Sequence, residues 1–338
     1  MNEFWAPEAE PSRKGLIEVL SPFGPDEAIH RMKVLGLSRS LSGHFDFKRF
    51  DPDGSIPDCV MVNGLRVNFK KNETINNALL KRVPQSVIMM FLPDLYTVTV
   101  ARLKEWSEIV DVFLVATREI ASQVSVLTAK DVRVLEDPID FGFVASSRKA
   151  SVNLPPKLCW FGYPESYHKS MSAFESALLE MHAAREIEFS IITNQEKFGE
   201  TPVPNVIAYD YKAFPNLLRE FDICVSSHTP LDFSMSTFWK SENKAVLAIN
   251  RGVTVVASRT PAHERLFRAC GLEAFLFDDV AGLRNAIRRL SDPMERESYL
   301  DKAQDFVLQN YSIVTIARKW FDLFTEARLR KQATGLRV

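Results

Sequence analysis

Short apolar, β-branched runs recur along the first half of the chain, each followed by a turn or by a helix-length stretch with apolar residues spaced near 3.6. Ile17–Leu20 is ended by Ser21-Pro22-Phe23-Gly24-Pro25, and a helix carrying Ile29, Met32, Val34 and Leu35 follows, opened by acidic Asp26 and Glu27. Further strands are expected at Cys59–Val62, Val87–Leu92, Val112–Ala116 and Val132–Leu135, with helices near Glu73–Arg82, Tyr96–Ile109 and Arg118–Leu127. Residues Ala145–Pro156 are small and polar and end in Pro-Pro, the composition of an interdomain linker. The alternation then restarts, with strands at Leu158–Phe161, Phe189–Thr193, Val206–Ala208, Ile223–Val225, Val253–Ala257 and Phe275–Phe277. Between them lie helices through Met171–Met181, Phe214–Phe221 and Leu283–Leu290, and the chain finishes on a long amphipathic helix, Ile313–Leu329.

Such alternation implies parallel sheets with crossover helices, and no short repeat suggests a solenoid. The expected fold class is α/β, with two Rossmann-like domains facing a cleft. A first domain is expected over residues 1–148, a second over 149–312, and a final helix with its tail over 313–338. A length of 338 residues suits two cores better than one.

Composition narrows the function classes. The formal net charge is −1, so nothing draws the chain to nucleic acid or anionic lipid by charge alone. Cys59, Cys159, Cys224 and Cys270 are scattered, without a CxxC pair or a histidine at metal-ligand spacing. Three of them sit in apolar strand-like runs, as reduced core thiols do, which suits the cytoplasm. Met1–Lys14 is acidic and lacks the features of a signal peptide, and no run is long and apolar enough to span a bilayer. A cytoplasmic location is expected, with peripheral attachment at the inner face of the membrane left open.

Ligands of open parallel sheets bind beyond the C-terminal ends of the strands, so the residues there carry the chemistry. The richest segment is Lys240-Ser241-Glu242-Asn243-Lys244, which opens an apolar helix ended by Gly252. A helix N-terminus with two lysines and a hydroxyl suits an anion, and a diphosphate best. There is no Gly-x-Ser-x-Gly elbow and no Walker lysine loop, which argues against hydrolase and NTPase readings.

The run Lys240–Ser258 resembles the donor-site region of GT-B glycosyltransferases of the group 1 / family 4-like type. Phe214–Val225, Pro261–Glu264, Leu158–Gly162 and Val132–Asp140 resemble elements that those enzymes place around it, so the likeness runs in order over residues 110–325. The resemblance implies a hexosyltransferase-like enzyme that moves a sugar from a nucleotide-diphosphate sugar to a glycan or lipid-linked acceptor, as in polysaccharide biosynthesis. It further implies no cofactor and no metal, and a last helix that crosses back onto the first domain; from the net charge, no nucleic-acid partner is expected. Lys240, Ser241, Asn243 and Lys244 are expected around the donor phosphates, with Gly162 allowing close backbone approach. Glu242 is the candidate for the ribose, Tyr209 and Tyr211 for walling the base, and Asn194 for a nucleotide contact. Asp94 is the best-placed carboxylate for a catalytic base, should the reaction invert. Asp51-Pro52-Asp53 has the spelling of a metal-binding DxD but reads as a turn. His30 and His228 read as structural, and the basic Arg328, Arg330, Lys331 and Arg337 as a solvated tail, with a membrane-facing role as the minor alternative.

One departure matters. Many family 4 members carry two glutamates before the glycine, and those places hold Trp239 and Leu247 here. A catalytically silent GT-B protein used for assembly, a nucleotide-sugar epimerase and a solute-binding receptor are the rival readings.

Overall fold

The computed structural model describes residues 14–24, 27–64, 72–92, 100–142, 153–199, 202–228 and 235–335. Asp26, Asp94, Arg337 and most of the Ala145–Pro156 linker lie outside the described residues.

Two parallel six-stranded sheets form the molecule. The first contains β1 (Gly15–Leu20), β2 (Phe45–Arg49), β3 (Cys59–Asn63), β4 (Val87–Leu92), β5 (Val112–Val115) and β6 (Asp131–Val134), in spatial order β2-β1-β3-β4-β5-β6. The second contains β7 (Lys157–Phe161), β8 (Glu188–Thr193), β9 (Asn205–Ala208), β10 (Ile223–Ser226), β11 (Thr254–Ser258) and β12 (Leu276–Phe277), in order β12-β11-β10-β7-β8-β9. Strands β3, β4 and β5 are buried on both faces, which is why they read as unbroken apolar runs. β2 was not expected. It is an edge strand, Phe-Asp-Phe-Lys-Arg, whose exposed charges mask its alternation.

Strand order reverses between β1 and β3 in the first sheet and between β7 and β10 in the second. At each reversal the flanking crossovers leave in opposite directions and open a crevice at the C-terminal strand edge. The fold therefore offers two such crevices.

The helix expected after β1 is three pieces, Ala28–His30, a π-helical Arg31–Leu35 and Gly36–Ser40. The helix expected through Met171–Met181 is two, Pro164–Met171 and Glu175–Ala183. Helix Pro293–Tyr311 is additional. The last helix, Ile313–Gly335, returns to the first sheet, where Ile316, Trp320 and Phe324 join Ile17, Phe45 and Met89 in one core. Its basic end is solvated at Arg328 and Arg330 and is also tied down by ion pairs. Arg328 pairs with Asp58, Arg330 with Asp131 and Lys331 with Asp111, acids that stand just before β3, β5 or at the start of β6. All four cysteines are free and buried.

Candidate functional site

Gly162 follows β7 at the reversal of the second sheet with φ +155°, a conformation that side-chain-bearing residues rarely adopt. A Cβ there would lie 2.6 Å from Lys244 Nζ and 2.8 Å from the Trp160 ring. Glycine is thus required by what crosses it. Lys244 reaches over from its helix and donates to the Phe161 carbonyl at 2.8 Å, its ammonium 4.7 Å from the centre of the Trp160 ring. Lys244 is half-buried as a residue, and burial of its ammonium among these groups pushes its pKa down to about 8.

The helix that carries Lys244 spans Asn243–Asn250. Residues Ala245–Ile249 anchor it in the second core, and Gly252, at φ +78°, ends it. Glu242 is its N-cap residue but makes no side-chain cap, so that side chain leaves the first N–H groups of the helix unsatisfied. Ser241 donates to Asp137 Oδ2 at 2.9 Å, and Asp137 Oδ1 pairs with the buried Lys33 at 2.8 Å. The half-buried Asn243 opens the helix, and Lys240 is half-buried just before it.

Glu242 has a different setting from a ribose ligand. Its carboxylate is buried and accepts from the Tyr311 hydroxyl at 2.6 Å, and its second oxygen has no partner. Burial raises its pKa to about 7. Asn194 uses its side chain to cap the short helix Gln195–Phe198. Tyr209 and Tyr211 stand after β9, two strands from β7, or about 10 Å across the sheet. Arg31 of the first domain engages the Tyr209 hydroxyl and lies 5.8 Å from the Tyr211 ring centre, while its guanidinium forks onto Asp140. Asp94 lies outside the described residues. Asp51–Asp53 is a turn, with Asp53 N–H donating to Asp51 Oδ1 at 3.1 Å.

Contacts between residues distant in sequence also tie this crevice together. His228, after β10, stacks on His263 at 5.4 Å, and burial with His263, Lys244 and Lys240 nearby holds its imidazole neutral. His263 Nδ1 contacts the Ser258 carbonyl at 2.8 Å, and burial lowers its pKa to about 4. Arg265 grips Glu119 of the first domain with two prongs, one at 2.8 Å. Trp239 packs against a core cluster of the first domain, and Leu247 is buried in the second core. The places of the family's glutamate pair are packing positions here.

The arrangement joins an enclosed ammonium, a helix N-terminus and a glycine turn at one strand-order reversal, the chemistry that holds a phosphate pair. Residues 175–322 match the sequence model of the family described as glycosyl transferase-like. A search of curated proteins finds no match by sequence. Among solved structures, S. aureus TarM in complex with Fondaparinux, alpha-GlcNAc-glycerol and UDP aligns with TM-score 0.55 and 11% identity, over 79% of this chain and 55% of that one. The pneumococcal O-GlcNAc transferase GtfA, with UDP and GlcNAc, aligns with TM-score 0.54 and 11% identity, over 80% and 56%. An alpha-glucosyltransferase bound to UDP and a 13-mer DNA containing a HMU base aligns with TM-score 0.63 and 12% identity, over 92% and 100%. The chain thus spans just over half the length of the first two. It has the GT-B architecture of these glycosyltransferases, and the sequence likeness to the glycosyl transferase-like family is confined to residues 175–322.

Proposed function

We propose that this chain is a glycosyltransferase that moves a hexose-like sugar from a UDP-sugar to a hydroxyl of a glycan or lipid-linked acceptor, with no metal or cofactor. The observation that carries the reading is the Lys244 ammonium, held at the end of β7 against Gly162 and near a helix N-terminus that the Glu242 side chain does not cap. UDP is the nucleotide of choice because it accompanies TarM, GtfA and the alpha-glucosyltransferase.

In the proposed reaction the glycosidic bond to the β-phosphate breaks and negative charge builds on the departing diphosphate. Preorganised N–H donors and an ammonium in a partly dry crevice stabilise that charge without having to reorganise. Lys240, Ser241, Asn243 and Lys244 supply these groups, Gly162 lets the diphosphate approach the backbone, and Tyr209 and Tyr211 wall the base. Glu242 supports the helix start from behind through Tyr311. Asp94 remains the candidate base for an inverting reaction.

A cytoplasmic location suits the four buried thiols. No helix among the described residues is long and apolar enough to cross a membrane, and the ion pairs of Arg328, Arg330 and Lys331 reduce the free charge available for a lipid surface. A second reading, a silent GT-B protein used for assembly, is favoured by Trp239 and Leu247 at the glutamate places. Isothermal titration with UDP and a panel of UDP-sugars, followed by assay of UDP release, separates the two. Binding with slow hydrolysis supports the transferase, and absence of any UDP binding removes it.

A further inference from the structure

The backbone just past the end of β7 decides which polar groups the crevice receives. The Gly162 N–H donates to the Ile192 carbonyl of β8 at 3.2 Å. The carbonyl of the same peptide unit, that of Phe161, points the opposite way because the unit is planar and trans. There it meets Lys244 Nζ at 2.8 Å. Lys244 therefore stands on the side of the turn that faces away from β8.

The next peptide unit joins Gly162 to Tyr163. Thr193, the last residue of β8, is fully buried and donates its hydroxyl to the Gly162 carbonyl at 2.8 Å. With that oxygen turned toward β8, trans geometry sends the Tyr163 N–H to the Lys244 side. Among the described residues nothing accepts from it. Tyr163 is extended, at φ −76° and ψ 147°, as the following Pro164 favours, and Pro164 has no N–H of its own. Thr193 makes a second tie through its own carbonyl, which accepts from the Tyr209 N–H at 2.8 Å. One buried residue thus links the glycine turn to the start of the Tyr209–Tyr211 loop.

Backbone N–H groups attract an anion and free carbonyl oxygens repel it. Both carbonyls of this turn are engaged, one by a hydroxyl and the other by an ammonium with two further N–H groups to give. Glycine by itself tolerates either orientation of the peptide that follows it, so the Thr193 hydroxyl selects one. We propose that Thr193 is a positioning residue of the donor site: its hydroxyl turns the Gly162–Tyr163 peptide so that the Tyr163 N–H and the Lys244 ammonium face one diphosphate, while its carbonyl fixes where the Tyr209 loop starts relative to them. The proposal deepens the transferase reading and rests on it. Thr193 acts through the peptide it holds and touches no substrate. With the hydroxyl removed, the peptide is free to turn over and bring the Gly162 oxygen to the side that a phosphate oxygen would occupy.

The test reads the Tyr163 amide directly. The full chain is labelled on the nitrogen of its seven tyrosines, and the Tyr163 signal is identified by its loss in Tyr163→Phe. In proton–nitrogen NMR, UDP is expected to move the Tyr163 amide proton downfield, whereas uridine, which has no phosphate, leaves it in place. A Tyr163 signal that bound UDP does not move, or that uridine moves equally, overturns the proposal. Thr193→Val keeps the shape and loses the hydroxyl; in titration calorimetry it should raise the UDP Kd by about tenfold, the worth of one hydrogen bond to a charged group, and lose the downfield shift. Thr193→Ser, which keeps the hydroxyl, should restore both. A valine variant that binds UDP like the wild type, or a serine variant no better than valine, contradicts the assignment. Should Thr193→Val fail to fold, the wild-type amide shift and the serine variant still decide. A wild type that binds no UDP sinks the transferase reading itself, whereas UDP binding without a Tyr163 shift sinks only the role of Thr193.

Discussion

Lys244 and Glu242 are two residues apart and face opposite electrostatic problems. The Lys244 ammonium is enclosed, and its pKa of about 8 means that it is mostly charged at pH 7. A bound diphosphate favours the charged form, so UDP affinity should weaken as the pH rises above about 8. Lys244→Met keeps the stem and removes the charge; it should raise the UDP Kd by roughly 10- to 100-fold, the worth of one charge-assisted hydrogen bond, and flatten the pH dependence. Titration calorimetry at pH 7 and pH 9 measures both effects, and equal affinities for the two proteins would remove Lys244 from the site. Glu242 runs the other way. Its pKa is raised from 4.5 to about 7, so the folded protein binds a proton more tightly than the unfolded chain. Its contribution to stability is fully present below about pH 4.5 and is lost as the pH rises to about 7, a change of about 3 kcal/mol at most. Glu242→Gln still accepts from Tyr311 and cannot ionise, so it should be the more stable protein at pH 8 and about equal at pH 4.5. Urea unfolding at the two pH values checks this, and a loss of stability at pH 8 would contradict it.

Among the elements, the last helix carries its own prediction. Trp320 is fully buried, stacks on Phe324 at 5.5 Å and meets Phe45 edge-on, so Trp320→Ala should cost about 3–5 kcal/mol in unfolding experiments. Arg328→Ala at the exposed basic end should cost under about 1 kcal/mol. How far these elements are legible in the chain depends on how much of each is buried. β3, β4 and β5 read directly because both faces are apolar, and helix Val280–Leu290 reads directly because Leu283, Ala286, Ile287 and Leu290 make one stripe. Helix Pro293–Tyr311 escapes the pattern because its buried Tyr299, Leu300, Ala303 and Val307 are diluted by charged neighbours, and one buried position is Arg296. The π-turn at Arg31–Leu35 has no signature in spacing, yet it lies where Arg31 reaches Asp140 and Lys33 reaches Asp137. The same limit applies to the site. Lys240–Lys244 is contiguous and legible, whereas Asp137 meets Ser241 from 104 residues away and Tyr311 meets Glu242 from 69. Only folding brings those partners together.

At the scale of the molecule, the two chain crossings run side by side at the start of the donor helix. The Ile139 N–H donates to the Tyr311 carbonyl at 2.9 Å, where the segment leaving the first sheet meets the turn into the last helix. Ser241 is bonded to the first crossing through Asp137, and Glu242 to the second through Tyr311. A rotation of one domain on the other therefore pulls on the residues proposed to hold the diphosphate, and a ligand on those residues would bias the rotation. Tyr311→Phe tests this with little change in volume. It removes the hydroxyl at 2.6 Å from Glu242 and should cost about 1 kcal/mol of stability. The sharper consequence concerns coupling. In the wild type UDP should reduce the radius of gyration in small-angle X-ray scattering as the domains close. In Tyr311→Phe the same saturation with UDP should give a smaller reduction, because one of the two ties between the donor helix and the crossings is cut while Lys244 and Gly162 still hold the ligand. An unchanged reduction would mean that Ser241 and Asp137 carry the coupling alone, and Ser241→Ala would then be the variant in which closure fails.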